Sequence, residues 1–213
     1  KGININSDPH TSKDEDGNFI PDLGTEHWYQ LWEVCNDKVI PINFHIGASE
    51  TAIDWMGKQG WPSLSYDLRS GISGAMIFFN NGATVSNLIY SGILDRYKKL
   101  KFVSVESGIG WVPFLMEALD YQLAEIAETK GFEKAPSEYF KSNFYACFWF
   151  EKKDVSQMLH KVGIDNCLFE TDFPHPTSLY PIDNLEERLS SLTAKDRAKV
   201  LSLNAAKLYD SAI

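Results

Sequence analysis

The sequence predicts an α/β protein whose leading architecture is a (β/α) barrel. Short apolar runs alternate with segments of helical periodicity along the chain. The runs are nearly continuous in apolar residues, which is typical of parallel strands covered on both faces by helices. Neither glycine-rich nucleotide-binding motif, G-x-G-x-x-G or G-x-x-x-x-G-K-[ST], is present. The sequence therefore does not favour a nucleotide-binding α/β fold.

The first elements follow from local patterns. Residues 2–6 alternate apolar and polar side chains, which predicts a short strand, and a polar loop follows over 7–24. Residues 25–38 are predicted to form a helix with one apolar face. That face comprises Trp28, Leu31, Trp32 and Cys35. The apolar run over 39–47 predicts the second strand.

The middle of the chain repeats this alternation. Residues 70–95 are interpreted as two helices divided by a turn at Asn80-Asn81-Gly82. Residues 101–108 predict a strand that ends in a glycine turn. The next helix begins near Pro113 and ends at Gly131, because proline favours the first turn of a helix and glycine its end.

The last third predicts two more strands. Residues 144–150 form an aromatic-rich run that is too short to span a membrane, which indicates a buried strand. A helix over about 154–162 and a strand over 166–172 follow. Helices near 182–191 and 194–209 complete the predicted order.

Composition excludes several classes of partner. The 213 residues carry 20 Lys+Arg against 29 Asp+Glu, for a formal net charge of −9. Nucleic-acid binding needs a basic face, and the one basic run, 96–101, is interpreted as a solvated helix end. No stretch approaches the ~20 apolar residues of a membrane helix. Three widely spaced cysteines and the absence of an apolar signal-peptide core predict reduced thiols and a cytoplasmic location.

Three predicted strands end in a polar residue that can carry chemistry. These residues are His45, Glu106 and Asp172. In a (β/α) barrel the active site lies at the carboxyl ends of the strands. Imidazole and carboxylate are both zinc ligands, and a bound metal lowers the pKa of its water and polarises a substrate carbonyl.

Each of these residues is also explained by a structural role, and sequence spacing alone does not decide between the structural and the functional interpretation. His45 is also explained as a hydrogen-bonded histidine at a strand end. Asp172 is also explained as a turn former that accepts backbone N–H bonds. Glu106 is also explained as the partner of Arg69 or Arg96 in a salt bridge.

Five segments resemble one known family in both sequence and order. They are INFHIG, GILDRYKKLKFVSVESGIGWVPFLMEALD, PSEYFKSNFYACFWFE, VGIDNCLFETDFPHP and VLSLNAAKLY, which together span about Pro41 to Tyr209. They are similar to the amidohydrolase superfamily, in the branch of aminocarboxymuconate-semialdehyde decarboxylase. The most specific piece is the Asp-aromatic-Pro-His turn after an apolar strand.

The resemblance implies a (β/α)8 TIM-type barrel in which this chain covers about strands 4 to 8. It also implies a divalent metal, zinc or alternatively manganese, with His45 and Asp172 as ligands. The family often has a histidine where Glu106 stands, so Glu106 is expected to act with Asp172 in catalysis. Trp111 and His175 are the expected substrate-binding residues, and His175 is expected to secure the turn after Asp172 rather than to bind the metal. Trp55, Trp61 and Trp149 are further aromatic residues for a pocket wall.

The implied activity is metal-dependent hydrolysis or decarboxylation of a small, aromatic or unsaturated carboxylic acid. The resemblance implies a metal-binding His-x-His pair on the first strand of the barrel. The chain begins with Lys1 and contains no such pair, so residues 1–213 are expected to be one barrel domain without its amino-terminal strands. Two ligands hold zinc weakly, so we expect no appreciable catalysis by these residues alone. The alternatives are an inactive homologue and a non-catalytic barrel fragment. Because open sheet edges need cover, a homo-oligomer is expected.

Overall fold

The computed structural model describes residues 1–46, 54, 61–126, 131–175 and 178–210. These residues form a parallel five-stranded sheet whose spatial order follows the chain. The strands are β1 Ile3–Ile5, β2 Ile42–His45, β3 Phe102–Val105, β4 Phe144–Phe148 and β5 Cys167–Phe169. The α/β prediction and all five predicted strands are therefore confirmed.

Helices connect the strands. Those between β1 and β3 are α1 Tyr29–Lys38, α2 Tyr66–Ile77, α3 Asn80–Tyr90 and α4 Ile93–Arg96. Those between β3 and β5 are α5 Val112–Glu125, α6 Pro136–Asn143 and α7 Val155–Val162. After β5 come α8 Leu185–Arg188, α9 Ala194–Ala198, a π-helical turn Lys199–Leu203 and α10 Asn204–Tyr209.

The predicted turn at Asn80-Asn81-Gly82 is wrong, because these residues form the first turn of α3. The break falls two residues earlier, at Phe78 and Phe79. Asn81 is fully buried, and the bonds made by its side chain stabilise the helical start. A polar dipeptide that normally marks a turn is here held in a helix by tertiary contacts.

Helix α6 was not predicted from the sequence. It begins at Pro136, and the Glu138 carboxylate accepts the backbone N–H of Ala135 at 2.9 Å. Proline at the first helical position and an acidic residue two positions later are ordinary start signals. From the sequence, residues 136–143 belong to no predicted element and lie between a helix ending at Gly131 and a strand beginning at Phe144.

One face of the sheet packs against the helices. Ile42, Phe44, Phe102 and Phe144 are fully buried on this face. The Phe102 ring stacks on Phe144 with centroids 5.4 Å apart. Alternate strand residues point to opposite faces, so Asn43 and His45 are directed away from this core.

The other face carries a smaller apolar cluster closed by the carboxyl-terminal helix. Val103, Cys147 and Leu168 are its buried members, and Leu208 and Tyr209 of α10 pack against them. The Tyr209 hydroxyl also donates to Asn43 Oδ1 at 2.5 Å. Helix α10 therefore covers the face that a closed barrel directs inward.

The three cysteines are buried free thiols, as predicted. Two of them, Cys147 and Cys167, lie in neighbouring strands, and burial raises the pKa of both. Among the described residues, no helix is both long and apolar enough to cross a membrane.

Asn81 joins α3 to the ends of two strands. Its amide nitrogen donates to Ser104 Oγ at 2.9 Å and Ser107 Oγ at 2.7 Å. It also approaches the carbonyl oxygens of Phe44 at 3.4 Å and Val105 at 3.2 Å. One buried amide thus holds β2, β3 and the loop after β3 together.

Asn81→Ala is expected to lower the free energy of unfolding by about 2–4 kcal/mol, because it leaves several buried acceptors without a donor. Asn87→Ala, at an exposed position of the same helix, is the control and should change it by less than about 0.5 kcal/mol. Urea denaturation measures both. Equal losses in the two variants would contradict this role of Asn81.

Candidate metal centre at the carboxyl edge of the sheet

His45, Glu106 and Asp172 lie at the same edge of the sheet. His45 is the last residue of β2, and its neighbour Ile46 donates its N–H to Val105 O at 2.9 Å. Glu106 directly follows β3, and Asp172 lies three residues after β5. Because all strands are parallel, their carboxyl ends meet at one edge.

The backbone at these strand ends adopts a conformation that residues with a side chain rarely occupy. The φ angles of Ile46, Glu106 and Asp172 are 44°, 57° and 59°. A left-handed conformation at a residue other than glycine costs about 1–3 kcal/mol, and such residues concentrate at functional sites. Three of them at one sheet edge mark this edge as the candidate site.

Glu106 is paired with His45. Nε2 of His45 lies 2.5 Å from Oε2 of Glu106, and the side chains are 55% and 9% exposed. The structural alternative of a salt bridge from Glu106 to Arg69 or Arg96 is not found among the described residues, because the carboxylate faces the histidine. Arg96 instead places its guanidinium 4.2 Å from the centroid of the Tyr29 ring.

Asp172 is paired with His175 across the turn after β5. Nδ1 of His175 lies 3.0 Å from Oδ2 of Asp172, and the His175 N–H donates to Asp172 O at 2.9 Å. One ligand atom from each of Glu106, Asp172 and His175 lies within 4.8 Å of the others. The turn thus brings His175, for which the sequence predicts substrate binding, into a candidate metal cluster.

The donor set of this cluster fits a divalent metal. Two carboxylates and one imidazole suit zinc and manganese equally. Three ligand atoms at about 2.0–2.2 Å from one ion lie about 3.3–3.8 Å from one another, so these atoms, which lie within 4.8 Å of one another, need to approach by about 1–1.5 Å at most to hold one ion. His45 touches this cluster through Glu106, and its assignment as a direct ligand stays a prediction.

Burial and a nearby like charge both raise the pKa of the Glu106 carboxyl group. Desolvation raises the pKa of Glu106, the nearby Asp172 raises it further, and His45 and His175 oppose the shift. Two carboxylates that share a poorly solvated edge repel each other. A cation at this point stabilises their ionised forms.

Glu170 is a further candidate residue of this site that the sequence did not single out. Its Oε1 accepts the backbone N–H of Glu106 at 2.7 Å, which fixes the left-handed turn after β3. Burial raises its pKa to about 8, against the hydrogen bonds from Glu106 and Cys147. Glu170 directly follows β5, so the strand-end rule that selected His45 and Glu106 also identifies it.

The loop after β3 is held from the opposite side by Glu151. The Ile109 N–H donates to Glu151 Oε1 at 2.6 Å, and the Trp149 N–H to Oε2 at 3.0 Å. Gly108 has a φ of 63°, and an added Cβ would lie 2.5 Å from Glu151 Oε1. Glycine at 108 therefore allows the close approach of these two loops.

The tryptophans that the sequence suggests for substrate binding or a pocket wall differ in burial. Trp111 is buried, and its indole N–H donates to Ser107 O at 3.1 Å, so its role in substrate binding stays a prediction. Trp149 is also buried, directly after β4. Trp61 is exposed, and Trp55 lies outside the described residues.

Other aromatic side chains surround the strand ends. Phe150 stacks on Phe78 with centroids 5.0 Å apart. Phe173, beside Asp172, makes an edge-to-face contact with Tyr180 at 5.1 Å, and both rings are largely exposed. These rings offer planar apolar surface next to the cluster.

Comparison with known proteins identifies the family. The amidohydrolase family model matches residues 1–211. The chain belongs to the amidohydrolase family. No match was found among curated proteins. The assignment favours the enzyme interpretation over a non-catalytic barrel fragment.

Solved structures share this fold at low identity. An amidohydrolase from Mycobacterium avium subsp. paratuberculosis K-10 has a TM-score of 0.73 and 22% identity, covering 90% of this chain and 47% of its own. The 5-carboxyvanillate decarboxylase from Sphingomonas paucimobilis has a TM-score of 0.73 and 21% identity, covering 99% and 58%. A dihydroxybenzoic acid decarboxylase from Polaromonas sp. JS666, with bound manganese and 2-nitroresorcinol, has a TM-score of 0.58 and 21% identity, covering 88% and 55%.

The chain thus spans about half the length of these structures, and its five-stranded sheet corresponds to part of an amidohydrolase (β/α)8 barrel.

Gly108→Ala is expected to destabilise the protein by more than about 2 kcal/mol, because it combines a left-handed φ with a clash against Glu151. Gly110→Ala is the matched control. A Cβ there meets nothing within 4 Å, so the free energy of unfolding should stay within about 1 kcal/mol of the parent value. Thermal unfolding of both variants measures the difference, and similar losses would show that the loop contacts around Gly108 are unimportant.

Proposed function

We propose that this chain carries the metal-binding part of the active site of a metal-dependent decarboxylase that acts on a small aromatic or unsaturated carboxylic acid. The observation that carries the proposal is the cluster of Glu106, Asp172 and His175 at the carboxyl edge of the sheet. Three ligand atoms is the number that catalytic zinc sites use, with a further position left for substrate or water.

A divalent metal in this cluster supplies a Lewis acid that polarises a substrate carboxylate or neighbouring oxygen. Glu106, Asp172 and His175 would hold it, and Glu170 fixes Glu106 through the backbone N–H. The charged end of the substrate would then lie against the cluster.

The His45 and Glu106 pair supplies the proton that decarboxylation requires. Loss of carbon dioxide leaves an electron pair on carbon, which must take up a proton. His45 Nε2 lies 2.5 Å from Glu106 Oε2, and the half-exposed imidazole is open to a substrate. The imidazolium of His45, paired with the Glu106 carboxylate, is the proposed proton donor.

The aromatic side chains favour a planar substrate. Phe173 and Tyr180 expose their rings beside Asp172. The buried indole N–H of Trp149 has no acceptor within the described part of the chain. The aromatic acids named for the similar structures support decarboxylation over hydrolysis as the reaction class.

Metal binding tests the cluster directly. The chain is expected to bind Mn²⁺ or Zn²⁺ with a stoichiometry of one, and Glu106→Gln should weaken binding at least about tenfold because one carboxylate ligand is lost. Glu117→Gln, on an exposed position of α5, is the control and should leave the affinity unchanged. Isothermal titration calorimetry measures both, and unchanged affinity in Glu106→Gln would contradict the assignment.

Ligand binding tests the proposed substrate class. 2-Nitroresorcinol, an inhibitor bound in one of the similar structures, should bind this chain at least about tenfold more tightly with Mn²⁺ than with EDTA. Equal binding in both conditions, or none, would contradict the proposal.

Turnover is measured in the same samples. These residues alone are expected to give no appreciable product from 2,6-dihydroxybenzoate, as the sequence predicts. Metal-dependent formation of resorcinol, detected by chromatography, would confirm the reaction class and overturn the expectation of inactivity.

A further inference from the structure

A surface groove lies on the helical side of the protein, enclosed by α5, α6 and the end of α7. It has a volume of about 620 Å³ and shares no residue with the metal cluster. Val112, Met116 and Val162 form its floor, and most of its accessible surface is apolar. Exposed apolar surface that is rimmed by polar residues is typical of a site where another molecule binds.

Phe114 extends this apolar surface at the rim of the groove. The residue is 75% exposed, the highest value of any large hydrophobic residue in the described part of the chain. Tyr121 lies about two turns further along α5, on the same side of the helix, and is 63% exposed. A single exposed apolar residue is ordinary. Two exposed aromatic residues beside an apolar groove are typical of a contact between proteins.

The two walls of the groove carry opposite charges. Glu117 and Asp120 of α5 line one wall, and Lys141 of α6 and Lys161 of α7 line the other. Asp120 accepts the N–H of Ser137 at 2.8 Å. Glu117 and the two lysines are exposed, and none of them forms an ion pair within 4.0 Å among the described residues. An acidic wall opposite a basic wall is complementary to a second copy of itself.

The two helices place their charges at the same level of the groove. Each begins seven residues after its strand ends, α5 after β3 and α7 after β4, so both run from the carboxyl edge of the sheet. Glu117 is the sixth residue of α5 and Lys161 the seventh of α7. With a rise of about 1.5 Å per residue, they lie at nearly equal distances from that edge.

This arrangement selects one orientation for two copies. A two-fold axis along the groove places Glu117 of each copy opposite Lys161 of the other, so the pair forms twice. A two-fold axis across the groove would place like charges opposite each other, which opposes association.

We propose that this groove is the contact between two copies of this chain, related by a two-fold axis along the groove. Phe114 of each copy packs against the apolar surface of the other copy's groove, and the two pairs of Glu117 and Lys161 close the contact. The dimer is the homo-oligomer expected from the sequence, formed by helices rather than by open sheet edges. The proposal is independent of the decarboxylase activity, because no groove residue belongs to the metal cluster.

Sedimentation equilibrium of the 213-residue chain tests the contact. A concentration-dependent dimer is expected, and Phe114→Ala should weaken dimerisation at least about tenfold, because an aromatic ring buried at the contact is lost. Phe19→Ala is the matched control, since Phe19 is 65% exposed and lies outside the groove; it should leave dimerisation unchanged. A monomer at every concentration, or equal dimerisation by Phe114→Ala and the parent, would overturn the proposal.

Charge reversal tests the orientation in the same experiment. Glu117→Lys and Lys161→Glu should each weaken dimerisation at least about tenfold, because like charges then meet twice. An equimolar mixture of the two variants should dimerise again, since every pair in the mixed dimer joins opposite charges. This recovery separates a contact between copies from a loss of folding. Undiminished dimerisation by either variant alone, or a mixture that stays monomeric, would contradict the proposed axis and the contact.

Discussion

The parallel pairing of the strands is the constraint on which the site depends. Ile42 pairs with Phe102, Phe102 with Phe144 and Ala146 with Cys167, so every strand presents its carboxyl end at the same edge. Residues that are more than sixty positions apart in sequence, such as Glu106 and Asp172, thereby become neighbours. Without this register, no local feature of the loops would bring Glu106 and Asp172 together.

The strained backbone and clustered acidic side chains of the site destabilise the folded protein. Glu106 and Asp172 both adopt left-handed backbone conformations, and Glu170 adds a third acidic side chain whose pKa burial raises to about 8. Such an arrangement persists because the surrounding structure holds it: Asn81 joins the strand ends, and Glu151 joins the loops after β3 and β4. A bound cation relieves the repulsion that the fold imposes, which links the strained geometry to metal binding.

Strand-end positions in the sequence were sufficient to find much of this site. The rule that polar residues after apolar strands carry chemistry selected His45, Glu106 and Asp172, and all three lie at one edge. The same rule reaches Glu170, which was overlooked because Asp172 dominated the resemblance to the family. His175 was assigned to the turn and the substrate rather than to the metal, because sequence spacing does not show that its ring lies near Glu106 as well as Asp172. Asn81 was misread as a turn residue because its stabilising bonds join it to β2 and β3, which are distant in sequence.

The central claim is that Glu106, Asp172 and His175 bind one divalent metal. The most direct measurement is the anomalous scattering of a crystal grown with Mn²⁺, because it locates the ion without reference to activity. The account predicts one strong peak within about 2.3 Å of a ligand atom from each of these three residues. A peak held by His45 in place of Glu106 and His175, or manganese bound only at the exposed acidic residues of the surface, would contradict it.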